Sequence, residues 1–313
     1  MADGLELMDL PHLEEMYLIA GFRQWADAGS VSSGLPEYLV RQTNARPLGE
    51  INPEGFYLFQ IPGTHDLVRP VVKFDQGYPE TLETQSNRFY YTENSRRGVV
   101  IFLGDEPHMD VERYVGALLE AVRRLHVRRI IGLGGVYGEL PFDRERMISC
   151  NYSLPGLKEE VAGLAVTLSD YHGGASIGSY LCRRAGDQGI EYIGLNGFVP
   201  LYDLSSLGQK GATIRVENDY MAWLGIMRRI NYMLKIGFDL TDLTQNAAQM
   251  VRQVQAKIDE IDRQAPHLGV RAFFQRMAED FTETPFIPLD DVWEENLKNL
   301  LDRFDQETPN DED

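Results

Sequence analysis

Residues 99–135, VVIFLGDEPHMDVERYVGALLEAVRRLHVRRIIGLGG, read as strand, helix and strand in that order. Val99–Gly104 is a continuous apolar run bounded by a turn. Val111–Leu125 places Tyr114, Leu118, Ala121, Val122 and Leu125 on one face of a 3.6-residue period, and Arg129–Leu133 is a second apolar run. Strands without polar alternation are buried on both faces, and two of them joined through an amphipathic helix predict a parallel pair with a crossover. The same rhythm extends outward, with further strands expected at Met16–Gly21, Phe56–Ile61, Ala165–Ser169 and Glu191–Leu195. The fold class is therefore α/β, a mainly parallel sheet sandwiched by helices.

Two regions break the rhythm. Ala45–Glu93 alternates polar with aromatic residues and carries Pro53, Gly55, Pro62, Gly63, Gly77 and Pro79, which predicts an antiparallel extension. After Asn218 the strand signal stops, and helices are expected at Asp219–Ile236, Thr241–Gln264, Val270–Phe281 and Asp291–Phe304. The second has Asp239 as its expected cap and Leu243, Ala247, Met250, Val254, Ile258 and Ile261 along a narrow seam. The last, behind Asp290, repeats the seam with Trp293, Leu297, Leu300 and Phe304. The expected division is an α/β core over 1–236, an added all-helical C-terminal region over 237–304, and a disordered acidic tail over 305–313.

The 313 residues carry a formal charge of −18, and residues 237–313 hold 18 acidic against 7 basic residues. That field opposes nucleic acid and anionic membrane surfaces, so neither is expected as a partner. No basic leader and no long apolar run is present, which predicts a soluble, cytoplasmic protein. Cys150 and Cys182 lack metal or redox spacing, and the six histidines form no ligand motif, so no metal and no cofactor is expected.

Four loops carry the candidate chemistry. Gly21 to Gly29, GFRQWADAG, follows the first strand, with Trp25 as a lid and Asp27 as a cap for the next helix. Gly104-Asp105-Glu106-Pro107-His108 brings two carboxylates and an imidazole to a strand end ahead of Asp110, where acids also complement a helix dipole. Gly132, Gly134, Gly135 and Gly138 have GxGxxxG spacing and run into Leu140-Pro141-Phe142 rather than a helix, which excludes a dinucleotide loop. These glycines instead imply close approach to another loop or a ligand, with Tyr137, Glu139 and Arg144 at the same edge. Gly174-Ala175-Ser176-Ile177-Gly178 matches GxSxG, but Asp170-Tyr171-His172-Gly173 separates Ser176 from its strand, so Ser176 reads as first-turn helix rather than a nucleophile elbow.

In their order, these pieces resemble the proteasome assembly chaperone 2 family. The matching stretches are Gly21-Phe22 with Trp25 to Gly29, Gly104 to Pro107, Leu133 to Tyr137 with Pro141 and Arg144, Tyr171-His172-Gly173, Gly197 to Tyr202, and Ile236 to Leu240. The resemblance spans about residues 17 to 262. It implies a sheet core similar to that of purine nucleoside phosphorylases, a helical addition, a homo-oligomer such as a trimer, and a cleft without enzyme chemistry. It also implies a protein partner such as a proteasome component. Some archaeal members end in a hydrophobic-Tyr-X tail, whereas this sequence ends Asn310-Asp311-Glu312-Asp313. Two functional readings follow. One is a non-enzymatic interaction or assembly protein; the other is a nucleoside-like small-molecule binder, hydrolase or phosphorylase. For either, the candidate cleft comprises Gly21, Trp25, Asp27, Gly29, Glu106, Gly134, Gly135, Tyr137, Arg144, His172, Gly173 and Ser176.

Overall fold

The computed structural model describes residues 4–8, 15–60, 69–93, 97–203 and 213–286. The expected helix at Asp291–Phe304 and the tail beyond it lie outside these residues. Strands β2 (Glu15–Arg23), β7 (Arg97–Asp105), β8 (Val127–Gly138) and β11 (Glu191–Asp203) form a parallel centre in the spatial order β7, β2, β8, β11. Helix α2 (Val111–Arg124) carries the chain from β7 over β2 to β8, as the opening stretch predicts.

Antiparallel strands complete the ten-stranded sheet. On one flank β6 (Arg88–Glu93), β3 (Arg46–Ile51) and β1 (Leu5–Leu7) add in sequence beyond β7. On the other, β9 (Ile148–Tyr152) pairs antiparallel with β11, and the two-residue β10 (Thr167–Leu168) follows it. A short β12 (Thr213–Arg215) pairs with the far end of β11. Strands β4 (Val71–Asp75) and β5 (Tyr78–Glu83) form a separate hairpin that joins no other strand among the described residues.

Alternation along the buried central strands divides the core. Met16, Leu18, Ala20 and Phe22 of β2 and Val100 and Phe102 of β7 face α2 and α4 (Ile177–Asp187). Tyr17, Ile19, Val99 and Ile101 face α1 (Gly34–Gln42) and α5 (Tyr220–Leu234). Helix α6 (Thr241–Gln264) adds Leu243, Ala247 and Met250 to that second layer, so much of its seam closes within the chain. Its Ile258 joins Val270 and Phe274 of α7 (Val270–Asp280) on Phe142 and Tyr202. The helical region thus sits beside the carboxyl end of β11.

Residues 56–60 are not a strand. Phe56 lies in a turn, buried edge-on against Tyr114 at 5.2 Å between ring centroids, with the Arg113 guanidinium 4.0 Å above its ring. Pro53 and Gly55 break the ladder here, and the aromatic residues plug the end of α2 instead. Asp110 is also not a side-chain cap. It takes a left-handed conformation (φ 54°) and pairs with Arg113 at 2.6 Å. Among the described residues no helix is long and apolar enough to cross a membrane.

Candidate functional site at the strand ends

The loops after β2, β7 and β8 converge at the carboxyl end of the parallel sheet, the usual place for a site in an open α/β fold. Asp27 and Gly135 form an isolated parallel bridge, and Gly135 donates its N–H to the Ala26 carbonyl at 2.8 Å. A Cβ on Gly135 would stand 2.1 Å from the Ala28 carbonyl oxygen, and one on Gly21 would stand 2.0 Å from that of Ser32. Gly134 faces the Asn196 amide in the same way at 2.1 Å, and Gly29 has φ 62° against Asp219. The close approach implied by these glycines is therefore to the chain's own loops.

Hydrogen bonds lock the same contact. The Ser32 hydroxyl accepts from the Phe22 N–H and donates to the Leu133 carbonyl, both at 2.8 Å, tying the loop across β2 to β8. Asp27 accepts from the Ser32 and Ser33 amides at 2.9 Å and from the Ser33 hydroxyl at 2.7 Å. These bonds partly offset the burial that raises its pKa. Ser32→Ala leaves a buried amide and a buried carbonyl without this partner, and should cost about 2 kcal/mol in chemical unfolding. Near-wild-type stability would show that the hydroxyl does not carry the loop.

The acidic loop after β7 is divided. Asp105 turns toward Ser86 N–H at 2.8 Å and Arg23 at 3.4 Å. Glu106 turns the other way, accepting from the Ile177 N–H at 2.8 Å and from the Trp25 backbone amide, and so fastens the Trp25 loop to the start of α4. His108 accepts from the Leu58 N–H at 3.0 Å, and burial lowers its pKa. The expected triad of acids and imidazole is thus three separate structural contacts. Burial raises the Glu106 pKa more than its two backbone donors lower it. A carboxyl raised in the folded state binds protons more readily there than in the unfolded chain, so its contribution to stability falls as pH rises from its ordinary value through the raised one. Glu106→Gln cannot titrate and offers one acceptor to two amides. Urea midpoints should therefore favour wild type over Glu106→Gln increasingly as pH drops from 7 into the acidic range; a pH-independent difference would contradict this.

Ser176 is the N-cap of α4. Its Oγ accepts from the Ser179 N–H at 3.2 Å and lies 2.8 Å from the Ser179 hydroxyl, so its contacts are those of a cap. His172 and Gly173 are exposed on the preceding loop, and Arg144 is exposed at the end of the loop after β8. No three His, Cys, Asp or Glu residues come together as a metal site among the described residues. Burial pushes the Cys150 thiol up to about 12 and Cys182 to about 11, leaving both unreactive. A cavity of about 160 Å³ opens at the opposite, amino end of the strands, among Glu15, Arg97, Arg128, Arg129, Glu160 and Lys235. Its arginines are ion-paired with Glu15, Glu160 and Glu191.

Several large apolar side chains are exposed at the strand ends. Trp25 is 71% exposed on the loop after β2, Tyr137 is 40% exposed and Val136 is exposed near the end of β8, and Met147 is exposed just before β9. Val136 is in register with Phe198, whose N–H donates to the Met147 carbonyl, so these ends of β8, β11 and β9 lie side by side. The Arg215 guanidinium lies 5.8 Å from the centre of the Tyr137 ring. The buried residue that organises the loop after β8 is Arg146, two positions beyond the expected Arg144. It pairs with Asp219 at 2.8 Å, both side chains fully buried. Nothing in the run Asp143-Arg144-Glu145-Arg146 distinguishes the two arginines, although Asp219 was legible as the start of a helix.

Comparison with known proteins places this architecture. The PAC2 family profile matches residues 21–258. Among solved structures, the proteasome-assembly chaperone homologue of Mycobacterium tuberculosis superposes with a TM-score of 0.66 at 23% identity, covering 77% of this chain and 94% of that one. A PAC2 family protein from Streptomyces avermitilis gives 0.66 at 21% identity, covering 80% and 99%. PbaB of Pyrococcus furiosus, an archaeal proteasome activator, gives 0.59 at 19% identity, covering 82% and 98%. At these identities the superpositions establish the fold. No curated protein matches significantly.

Proposed function

This chain belongs to the PAC2 family, and we propose that it is a non-enzymatic, proteasome-assembly-chaperone-like protein that holds partner proteins on its strand-end rim. The observation that carries this reading is the rim of Trp25, Val136, Tyr137 and Met147, exposed above loops whose Asp27 and Glu106 carboxylates are occupied by the chain's own donors. Exposed Trp, Tyr, Met and Arg residues resemble the composition of interface centres. Small-molecule chemistry would instead need convergent groups aimed into a cleft.

The proposed setting is the cytoplasm, and the proposed partner is a proteasome subunit or an equivalent assembling ring, in keeping with related structures described as assembly-chaperone homologues. The purified chain should form a complex with its source organism's proteasome subunits and speed particle assembly on native gels. Trp25→Ala with Tyr137→Ala should weaken that complex at least tenfold while leaving the melting temperature unchanged. A wild-type chain that neither binds the subunits nor alters assembly would sink the proposal. A nucleoside or phosphate that raised the melting temperature would favour the small-molecule reading.

A further inference from the structure

The cavity of about 160 Å³ lies at the amino edge of the sheet, away from the strand-end loops. Glu15 is in register with Arg97, and Tyr17 with Arg129, so these side chains leave the face of the sheet on which the end of α5 contributes Met233, Leu234 and Lys235. Cations outnumber carboxylates in the lining, with Arg97, Arg128, Arg129 and Lys235 against Glu15 and Glu160. The whole chain has the opposite excess, at −18.

The charges divide into a closed group and an open one. Arg129 is closed. Its side chain is 7% exposed, its two Nη atoms donate to Glu160 at 2.5 and 2.9 Å, and its Nε donates to Glu191 at 2.8 Å. Arg97, Arg128 and Lys235 have one carboxylate among them. Glu15 accepts from Arg97 Nε at 2.5 Å and from Arg128 Nη1 at 2.8 Å, while Arg97 Nη1 donates to the Lys235 carbonyl at 2.6 Å and so fastens the end of α5 to the sheet. Three cations against Glu15 leave this group at +2. Arg128 makes a single hydrogen bond among the described residues and its side chain is 57% exposed, so the rest of its guanidinium fork is open to solvent.

We propose that this cavity binds a phosphate group, either the free ion or the monoester of a small metabolite. A guanidinium presents parallel N–H donors that match phosphate oxygens, and a lysine adds a point charge. A phosphate monoester carries about −2 at neutral pH, which balances the open group. The volume is below the roughly 300 Å³ at which pockets for drug-sized ligands begin, and this favours a small anion over a nucleotide. Glu15 has an opposing role in the site, since it orients Arg97 and Arg128 but repels the anion. The inference stands apart from the rim, because the cavity is at the other edge of the sheet.

Calorimetric titration of the full chain with inorganic phosphate, against chloride at equal ionic strength, tests this. Wild type should bind one phosphate per chain saturably; sulfate should compete and acetate should not. Arg128→Ala should weaken binding by about tenfold or more, and Lys235→Gln should weaken it in the same direction, with circular dichroism unchanged in both. Glu15→Gln keeps an acceptor for Arg97 and removes the repelling charge, so it should bind phosphate more tightly than wild type. A cluster that only holds the fold together would gain nothing from that change. Methyl phosphate bound as tightly as phosphate would identify a monoester site, and its rejection a site for the free ion. Absence of saturable binding by wild type, wild-type affinity in Arg128→Ala, or no gain in Glu15→Gln would overturn the inference. A phosphate-induced rise in melting temperature that Arg128→Ala abolishes belongs to this cavity and lends no support to a ligand at the strand ends.

Discussion

Replacing Arg146 or Asp219 singly by alanine is expected to destabilise the fold by about 3 to 5 kcal/mol, because each change leaves the other charge buried without its partner. Asp219 has two duties. One carboxylate oxygen accepts from the Met221 and Ala222 amides at 3.1 Å and caps α5; the other accepts from Arg146 Nε at 2.8 Å. Its own N–H donates to the Gly29 carbonyl at 2.9 Å. Arg146 directs its remaining donors to the carbonyls of Pro141, Phe142 and Arg144 at 2.8–3.0 Å, shaping the loop after β8. The pair therefore joins three segments far apart in sequence under the rim. Urea denaturation should show Asp219→Asn as the milder substitution, since an amide oxygen can still cap the helix. Replacing both residues by leucine and methionine should recover part of the loss, as removal of a complete buried pair costs less than removal of half of it. If either single alanine variant lost less than about 1 kcal/mol, the pair would not organise the loop.

The strand and helix order was readable because the central elements obey simple periods. β7, α2 and β8 fall where apolar runs and a 3.6-residue repeat place them, and α6 matches its expected bounds of Thr241–Gln264. The antiparallel flank over residues 45–93 was readable from alternation and turn residues. β9 was not, because Ile148-Ser-Cys-Asn-Tyr152 is short and mixed in polarity, and its strand conformation depends on the pairing with β11. Phe56 shows the converse, an aromatic residue that reads as strand and packs as a plug.

The site was readable as a place more than as a set of groups. Gly21, Trp25, Asp27, Gly134, Gly135 and Tyr137 lie near the carboxyl edge of the parallel sheet, since open α/β topology carries the ends of neighbouring parallel strands and the loops after them to one edge. Which way their side chains turn depends on contacts between residues about a hundred positions apart, such as Ser32 with Leu133. A glycine in a sequence announces crowding without naming what crowds it. Here it is the chain's own backbone.

That crowding makes Gly135→Ala the other large expected effect. The added methyl would lie 2.1 Å from the Ala28 carbonyl oxygen and 3.0 Å from its nitrogen, and neither is the free end of a flexible side chain. Relief requires β8 or the Trp25 loop to move, which breaks the bond from Gly135 N–H to Ala26 and strains the Ser32 bridge to Leu133. A loss of about 3 kcal/mol or more is expected, at the upper end of what overpacking costs. Gly156→Ala, with nothing within 4 Å of the new methyl, serves as the control and should stay within about 1 kcal/mol of wild type. Trp25 supplies a local readout, because its backbone is held by Glu106 and its loop by Gly135. With Trp293 replaced by Phe in both proteins, iodide quenching of tryptophan emission in folded Gly135→Ala should differ from its parent through Trp25, which is exposed, since Trp223 is buried. Unchanged quenching together with unchanged stability would mean that the loop tolerates a side chain at this contact, and that the rim is not positioned by it.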